Sequence, residues 1–209
     1  MNLDALNNLL DTMPAFKRLQ RSLNQQECIT SAEILSPATP FILINLAQRL
    51  EVPLLVITPR PEDSIHLYEQ MKLWNSHNRP LFHFPETETL PFEQMDGESV
   101  TTHQRISVLS TLISQNCVAP IVLASAEAAT RKTIDKNVFM STCHNLKRND
   151  SASPNELIRQ WNSMGYQTEP SVRSHGTVSR RGGILDIYPV SSPWPVRVEL
   201  WGTKIDSLR

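Results

Sequence analysis

The sequence contains few cysteines and no excess of either charge. Cys28, Cys117 and Cys143 are far apart and lie outside any C-x-x-C pattern, so they support neither a disulfide framework nor a zinc site. The 20 Lys and Arg residues are balanced by 21 Asp and Glu residues. Such a chain is unsuited to coating nucleic acid by bulk charge, although a local basic patch stays open. We therefore expect a cytoplasmic protein with reduced thiols.

Long apolar segments are also absent. The N-terminal stretch MNLDALNNLLDTM has an early aspartate and no basic segment ahead of an apolar one, which excludes the pattern of a signal peptide. No apolar run approaches the ~20 residues that a membrane-spanning helix needs. The sequence therefore predicts no association with a membrane.

Apolar strands alternate with helical patterns through the first two thirds of the chain. The predicted strands are PLLVIT at 53–58, PLFHF at 80–84 and APIVLAS at 119–125. The predicted helices are TPFILINLAQRL, with Thr39 as N-cap, PEDSIHLYEQMKLW and THQRISVLSTLISQ. The last helix is expected to bury Ile106, Leu109, Leu112 and Ile113. This alternation predicts a parallel sheet covered on both faces, in an α/β domain of residues 1–136.

The pattern changes in the last third of the chain. A polar, turn-rich stretch at 147–154 precedes a short helix with Trp161 facing inward, which ends at Gly165. Beyond it, apolar residues recur at every second position, as in strands. Residues 137–209 are therefore predicted to form a small α+β domain with an antiparallel sheet.

An α/β domain invites a nucleotide-binding interpretation, which this sequence does not favour. The turn into the helix at Pro40 is ILSPATPF, without glycine or lysine. A phosphate loop needs glycines, so that backbone N–H groups can close on the phosphates, and a lysine. The strand IVLAS ends without an Asp-Glu pair for magnesium, and the position of Glu127 in the first turn of a helix explains that carboxylate. We do not expect this chain to hydrolyse ATP.

Other catalytic groupings are equally weak. His83, His103 and His175 are far apart in the sequence, and no G-x-S-x-G or H-E-x-x-H motif accompanies them. The loop FPETETLPFEQ carries glutamates whose spacing singles out no acid–base pair, namely Glu86, Glu88 and Glu93. We therefore predict no catalytic residue, no metal site and no cofactor in this chain.

The stretch VRVELW, residues 196–201, alternates between the two faces of a strand. The core face is expected to hold Val196, Val198 and Leu200. The outward face is expected to hold Arg197, Glu199 and Trp201. Outward arginine and tryptophan are typical of an interface, whereas cross-strand pairs of Arg and Glu are often solvated and worth well under ~1 kcal/mol. From the residues alone, both interpretations stay open.

Three stretches together resemble one protein family. They are FPETETLPFEQ, HQRISVLSTL and, near the end, HG…RRGGILDIYP…VRVELWGTKIDSLR. From about residue 28 onward, the chain resembles the N-terminal UvrB-homology module of bacterial transcription-repair coupling factors, which is itself similar to the excision-repair helicase UvrB. The resemblance implies a degenerate RecA- or helicase-like parallel-sheet domain without a phosphate loop, followed by the α+β domain.

The resemblance also implies partners and site residues. In that family the second domain binds UvrA, the damage-recognition ATPase, through positions matched here by Arg181, Arg197 and Trp201, the last usually Phe. The family's surface is thought to be masked by contact with the C-terminal region. The whole protein binds RNA polymerase and double-stranded DNA and uses ATP in motor domains outside this sequence, so we expect a piece of a longer protein.

The residues around this predicted surface carry further expectations. Arg181 should lie beside a bulge or a close backbone approach at Gly182–Gly183, and Arg180 should point the opposite way if the strand is regular. Asp186 is expected to serve the fold, by pairing or by hydrogen bonds in a turn, and to have no role in binding.

The alternative is a UvrB-type helicase fragment with residual nucleotide or DNA binding. UvrB needs an intact phosphate loop, and it has a tyrosine-bearing hairpin after the position of FHFP. Residues 83–105 contain no tyrosine. Both departures match the coupling factors.

Overall fold

The computed structural model describes residues 6, 9–25, 31–87, 100–113 and 119–209. Four residues considered above lie outside these ranges: Cys28, Glu88, Glu93 and Cys117. The chain divides into two compact units, the first from residues 1–84 and 115–129 and the second from residues 85–114 and 130–209. The domain boundary after residue 136 stays a prediction.

Helices dominate the first part of the chain and strands the last. The helices are α1 (Pro14–Asn24), α2 (Thr39–Leu50), α3 (Pro61–Trp74), α4 (Val100–Ile113), α5 (Ala126–Thr130), α6 (Lys136–Thr142) and α7 (Pro154–Ser163). The strands are β1 (Leu54–Thr58), β2 (Leu81–Phe84), β3 (Ile121–Ser125), β4 (Gln167–Thr168), β5 (Thr177–Arg181), β6 (Ile184–Ile187), β7 (Val196–Trp201) and β8 (Lys204–Leu208). Of the helices so described, none is both long and apolar enough to cross a membrane.

Proline marks the start of several helices. Pro14, Pro61 and Pro154 open α1, α3 and α7, where the missing backbone N–H has no helical partner to lose. Helix α2 departs from the prediction, because a short 3-10 turn runs directly into it and Thr39 already has helical dihedral angles. The hydroxyl of Thr39 donates back to the carbonyl of Leu35 at 3.4 Å. The prediction of Thr39 as N-cap is therefore wrong.

The first unit contains a three-stranded parallel sheet in the order β1-β3-β2. Its central strand, β3, is buried along its whole length. Helices α2 and α3 pack against the sheet through a cluster of buried side chains: Ile44, Ala47, Met71, Ile121 and Leu123. The predicted parallel α/β arrangement is confirmed.

Coverage of the sheet differs from the prediction at β1. Leu55 and Ile57 are 59% and 54% exposed, although they belong to an apolar run. Alternation along the strand turns them away from the cluster under α2 and α3. In the described part of the chain, β1 is an edge strand that pairs with β3 alone. The expectation that both faces are covered is wrong for β1.

Helix α4 buries a different face from the predicted one. Its buried residues are Arg105 and Val108, whereas Leu112 is 46% exposed. Nη1 of Arg105 donates to the carbonyl oxygen of Pro85 at 2.6 Å, and this bond helps to offset the loss of water around the guanidinium. The predicted face of Ile106, Leu109, Leu112 and Ile113 is wrong at Leu112, because the buried face of the helix is centred on Arg105 and Val108.

The second unit contains a five-stranded sheet in the order β4-β5-β6-β7-β8. The pairs from β5 to β8 are antiparallel, as predicted, and the two-residue strand β4 pairs in parallel with β5. Helix α7 packs on one face, where Trp161 is 2% exposed. Around it lie buried aliphatic side chains: Leu157, Val178, Leu185, Ile187, Val198, Leu200 and Ile205. Gly165, with φ of 97°, follows the helix as predicted.

Candidate interaction surface

The face of the second sheet that points away from α7 carries polar and aromatic side chains. Strand register places Ser179, Asp186 and Arg197 side by side on β5, β6 and β7. Glu199 follows two residues later on β7, and Trp201 ends that strand. We call Arg181, Asp186, Arg197, Glu199 and Trp201 the outer face. The predicted alternation in VRVELW is observed, because Val198 and Leu200 are buried opposite these residues.

Arg197 and Asp186 form a two-point ion pair across β6 and β7. Nε of Arg197 donates to Oδ1 of Asp186 at 2.7 Å, and Nη2 donates to Oδ2 at 2.9 Å. The bonds from Arg197 hold the pKa of the Asp186 carboxyl below its usual value and raise that of the guanidinium. This pair uses two of the five N–H donors of Arg197 and fixes the plane of its guanidinium. The pairing predicted for Asp186 is therefore observed, and it orients Arg197.

Arg181 lies at the end of β5, beside a tight turn into β6. Gly182 has φ of 63°, which favours glycine, and a Cβ on Gly183 would lie 2.7 Å from the carbonyl oxygen of Leu200. The predicted close backbone approach is thus observed. Nη2 of Arg181 donates to the carbonyl of Pro170 at 3.2 Å, which links the side chain to the loop before β5.

Arg180 points to the other face of the sheet, as predicted. Its Nη1 donates to Oδ1 of Asn155 on α7, and its Nε donates to the carbonyl of Gly182 at 3.1 Å. This arginine therefore ties the sheet to its helix, and it takes no part in the outer face.

A shallow notch of about 350 Å³ brings two of the three predicted site residues together. Arg181 and Arg197 both line it, together with Asp186 and Arg209. Asp186 offsets the charge of Arg197 and Glu199 offsets that of Arg209, so the three guanidinium groups exceed the two carboxylates by one positive charge, which favours an acidic group from a partner. Trp201 lies outside the lining, at the far end of β7, and is 87% exposed. The structure therefore separates a cationic notch from an aromatic projection.

Sequence reasoning missed Arg209, which completes the notch. Nη2 of Arg209 donates to Oε1 of Glu199, while the hydroxyl of Ser207 donates to Oε2 of the same carboxylate at 2.7 Å. The bonds from Ser207 and Arg209 lower the pKa of Glu199. An irregularity between Glu199 and Leu200 shifts the register between β7 and β8, so alternation along β8 alone could not place these residues.

The remaining candidates have structural partners. The Ser64 hydroxyl lies 2.9 Å from Nε2 of His83, and Oγ of Ser125 accepts the N–H of Ala128 at 3.0 Å in the first turn of α5, which also holds Glu127. Two distant histidines meet, because the rings of His103 and His175 lie 4.9 Å apart. Within the ranges that the structure describes, no group of three or more His, Cys, Asp or Glu side chains could hold a metal ion.

Comparison with known proteins defines the class to which this surface belongs. Residues 145–209 match the family model described as the UvrB interaction domain, and this segment contains the whole outer face. The chain therefore carries a UvrB-homology module, with an interaction domain in its second part.

The particular relatives support the predicted resemblance to coupling factors. The chain is 30% identical over 169 residues to the transcription-repair-coupling factor of Bacillus subtilis, covering 78% of this chain and 14% of that protein. It is 22% identical over 177 residues to the corresponding protein of Escherichia coli, covering 85% and 15%. It is also 25% identical over 211 residues to UvrABC system protein B of Thermotoga maritima, covering 95% and 31%. The chain thus spans a small part of each relative's length.

Proposed function

We propose that this chain is a docking module that recruits UvrA in transcription-coupled nucleotide excision repair, and that the outer face is its docking surface. The observation that carries the proposal is the Arg197–Asp186 pair beside Arg181, in a cationic notch within the segment that matches the UvrB interaction domain. The coupling factors among the relatives are named for transcription and repair, which supports the same process here.

The geometry gives each outer-face residue a separate task in recognition. Arg197 is held in one orientation by Asp186, so little side-chain entropy is lost when a partner carboxylate binds its remaining N–H groups. Arg181 adds positive charge on the same notch, whereas Glu199 offsets the charge of Arg209. Trp201 supplies a large apolar surface that solvent covers at present, and tryptophan and arginine are the residues most often found as binding hot spots.

The proposal is tested by titrating the chain with UvrA from the same organism. Arg181→Ala and Arg197→Ala should each weaken binding roughly tenfold to hundredfold, and Trp201→Ala should do the same. Arg180→Ala is the matched control, since this neighbour of Arg181 faces α7 and should leave the affinity within about twofold. Circular dichroism and the melting temperature check that each variant stays folded.

The result that would sink the proposal is equally definite. Unchanged affinity in Arg181→Ala and Arg197→Ala, or absence of binding by the wild-type chain, would remove the outer face as the UvrA surface. Loss of binding in Arg180→Ala to the same degree would show a general effect on the second unit.

The alternative of a helicase fragment with residual nucleotide or DNA binding is measured in parallel. It predicts an affinity for ATP, or an affinity for DNA that falls steeply with salt. The docking proposal expects neither, because the turn ILSPATPF lacks the glycines and lysine of a phosphate loop. We further propose that the chain has no ATPase or cofactor of its own and acts in the cytoplasm. Binding to RNA polymerase and double-stranded DNA, use of ATP and masking by the C-terminal region would belong to the full-length protein.

A further inference from the structure

The loop between β6 and β7 presents a second exposed tryptophan. Trp194 is 74% exposed in the segment YPVSSPWP, residues 188–195, which we call the Trp194 loop. Tryptophan is strongly buried on average, and solvent around an indole costs free energy that a contact would recover. None of the contacts proposed above uses this side chain.

Internal hydrogen bonds brace the Trp194 loop. The hydroxyl of Tyr188 donates to the carbonyl of Pro193 at 3.0 Å. Ser192 bonds Trp194 twice, since its hydroxyl donates to the carbonyl of Trp194 at 2.8 Å and accepts the N–H of Trp194 at 3.2 Å. Nε2 of His175 lies 3.0 Å from the carbonyl of Ser192, and its ring packs on Tyr188 with centroids 4.1 Å apart. These contacts within the chain restrict the backbone of the loop without any contact from a partner.

The loop is continuous with the outer face. Pro195 directly follows Trp194, and Pro195 and Val196 line the same notch as Arg181 and Arg197. Trp194 lies two residues before β7, and Trp201 ends that strand. In the sequence, the two exposed tryptophans therefore flank the segment 195–197, which lines the cationic notch.

We propose that Trp194 is a second aromatic anchor for the same protein partner, so that the docking surface extends along β7 from Trp194 to Trp201. This inference rests on the proposed function. Its occupant is an apolar pocket of UvrA next to the acidic groups that meet Arg181 and Arg197. A loop that is already ordered loses little entropy on binding, so its indole contributes more affinity than a mobile one would.

The test is a titration of the full chain with cognate UvrA. Trp194→Ala should raise Kd at least tenfold, whereas Trp194→Phe, which keeps an aromatic ring, should raise it less than about threefold. Leu73→Ala is the control for lost apolar surface, because Leu73 is 80% exposed on α3 in the first unit. The Kd of this variant for UvrA should equal that of the wild type.

A double-mutant cycle tests the bracing separately. Tyr188→Phe removes the hydroxyl that bonds the Pro193 carbonyl and should raise Kd by about threefold. In the Trp194→Ala background the same change should have no further effect, because the brace acts through the indole. Equal effects of Tyr188→Phe in both backgrounds would contradict this role.

The outcomes separate this inference from the function on which it rests. If Arg197→Ala abolishes binding and Trp194→Ala changes Kd by less than twofold, the anchor is wrong and the docking surface stands. If the wild-type chain does not bind UvrA, both proposals fail. If Trp194→Ala alters self-association in sedimentation experiments but not binding to UvrA, the occupant is a second copy of this chain and the inference is overturned.

Discussion

Arg79 in the first unit and Arg197 in the second show two uses of one side chain. Arg79 is half-buried and donates to three backbone carbonyls. That of Ala47 lies in the last turn of α2, and those of Val52 and Ala119 precede β1 and β3. Arg197 is 47% exposed and pairs with one carboxylate. The first arginine ties together the end of α2 and the starts of β1 and β3, whereas the second is held rigid at the surface. The two arginines differ in their hydrogen-bond acceptors, which are backbone carbonyls for Arg79 and a side-chain carboxylate for Arg197.

Arg79→Met should have the largest effect on stability. We expect the free energy of unfolding of the first unit to fall by about 2–5 kcal/mol, because several carbonyls lose a charged donor together. Urea unfolding followed by circular dichroism measures the change. Arg60→Met is the control, since that side chain is 78% exposed and should alter stability little. If Arg79→Met and Arg60→Met lowered the free energy of unfolding equally, the carbonyl contacts of Arg79 would have no special role in stability.

Gly183→Ala tests whether the backbone of the second unit, rather than its surface charge, holds the outer face in place. The added Cβ would lie 2.7 Å from the carbonyl of Leu200, so we expect a loss of about 1–3 kcal/mol. Gly182→Asn should cost less, because no atom lies within 4 Å of the added Cβ and asparagine tolerates positive φ. Thermal unfolding measures both, and the reverse order would contradict the close approach.

The smallest effect is a dependence of stability on acid pH. Arg197 lowers the pKa of Asp186 in the folded state below the unfolded value of about 3.9, so this pair stabilises the fold above that pH. The contribution is lost as pH falls through the folded pKa. Between about pH 5 and about pH 2, wild type should therefore lose stability more steeply than Asp186→Asn or Arg197→Gln. Urea unfolding at each pH measures the free energy of unfolding. If it falls with pH equally in wild type and in both variants, the pair adds nothing to stability.

Much of the fold could be predicted because the relevant signals are local. The apolar run APIVLAS became the fully buried β3, and the helix predicted over PEDSIHLYEQMKLW was observed with the same limits. The period of two in VRVELW placed Val198 and Leu200 inward and Arg197 and Trp201 outward. Alternation of side chains depends only on the geometry of the strand backbone, so it can be predicted without knowing which strands are its neighbours. That Arg181, Arg197 and Trp201 bind a partner stays a prediction.

The errors came from positions where a distant group decides burial. Arg105 is buried where the Pro85 carbonyl accepts a hydrogen bond from its guanidinium, and a helical pattern cannot contain that information. Leu55 and Ile57 are exposed because alternation turns them away from the cluster under α2 and α3, and which face of β1 is covered depends on tertiary packing rather than on the apolar run itself. For α4 and for β1, the local pattern predicted the type of secondary structure correctly and the buried side chains incorrectly.

The sequence by itself determined the two classes of sheet, the absence of a glycine-rich phosphate loop and the residues that face outward on β7. Tertiary structure decided which of those residues act together. It paired Asp186 with Arg197 and placed Arg209 in the same notch. It also placed His175, 19 positions before Trp194 in the sequence, against the carbonyl of Ser192 in the Trp194 loop. Periodicity follows from the backbone of one element, whereas the pairing of side chains depends on register, bulges and loop closure between several elements.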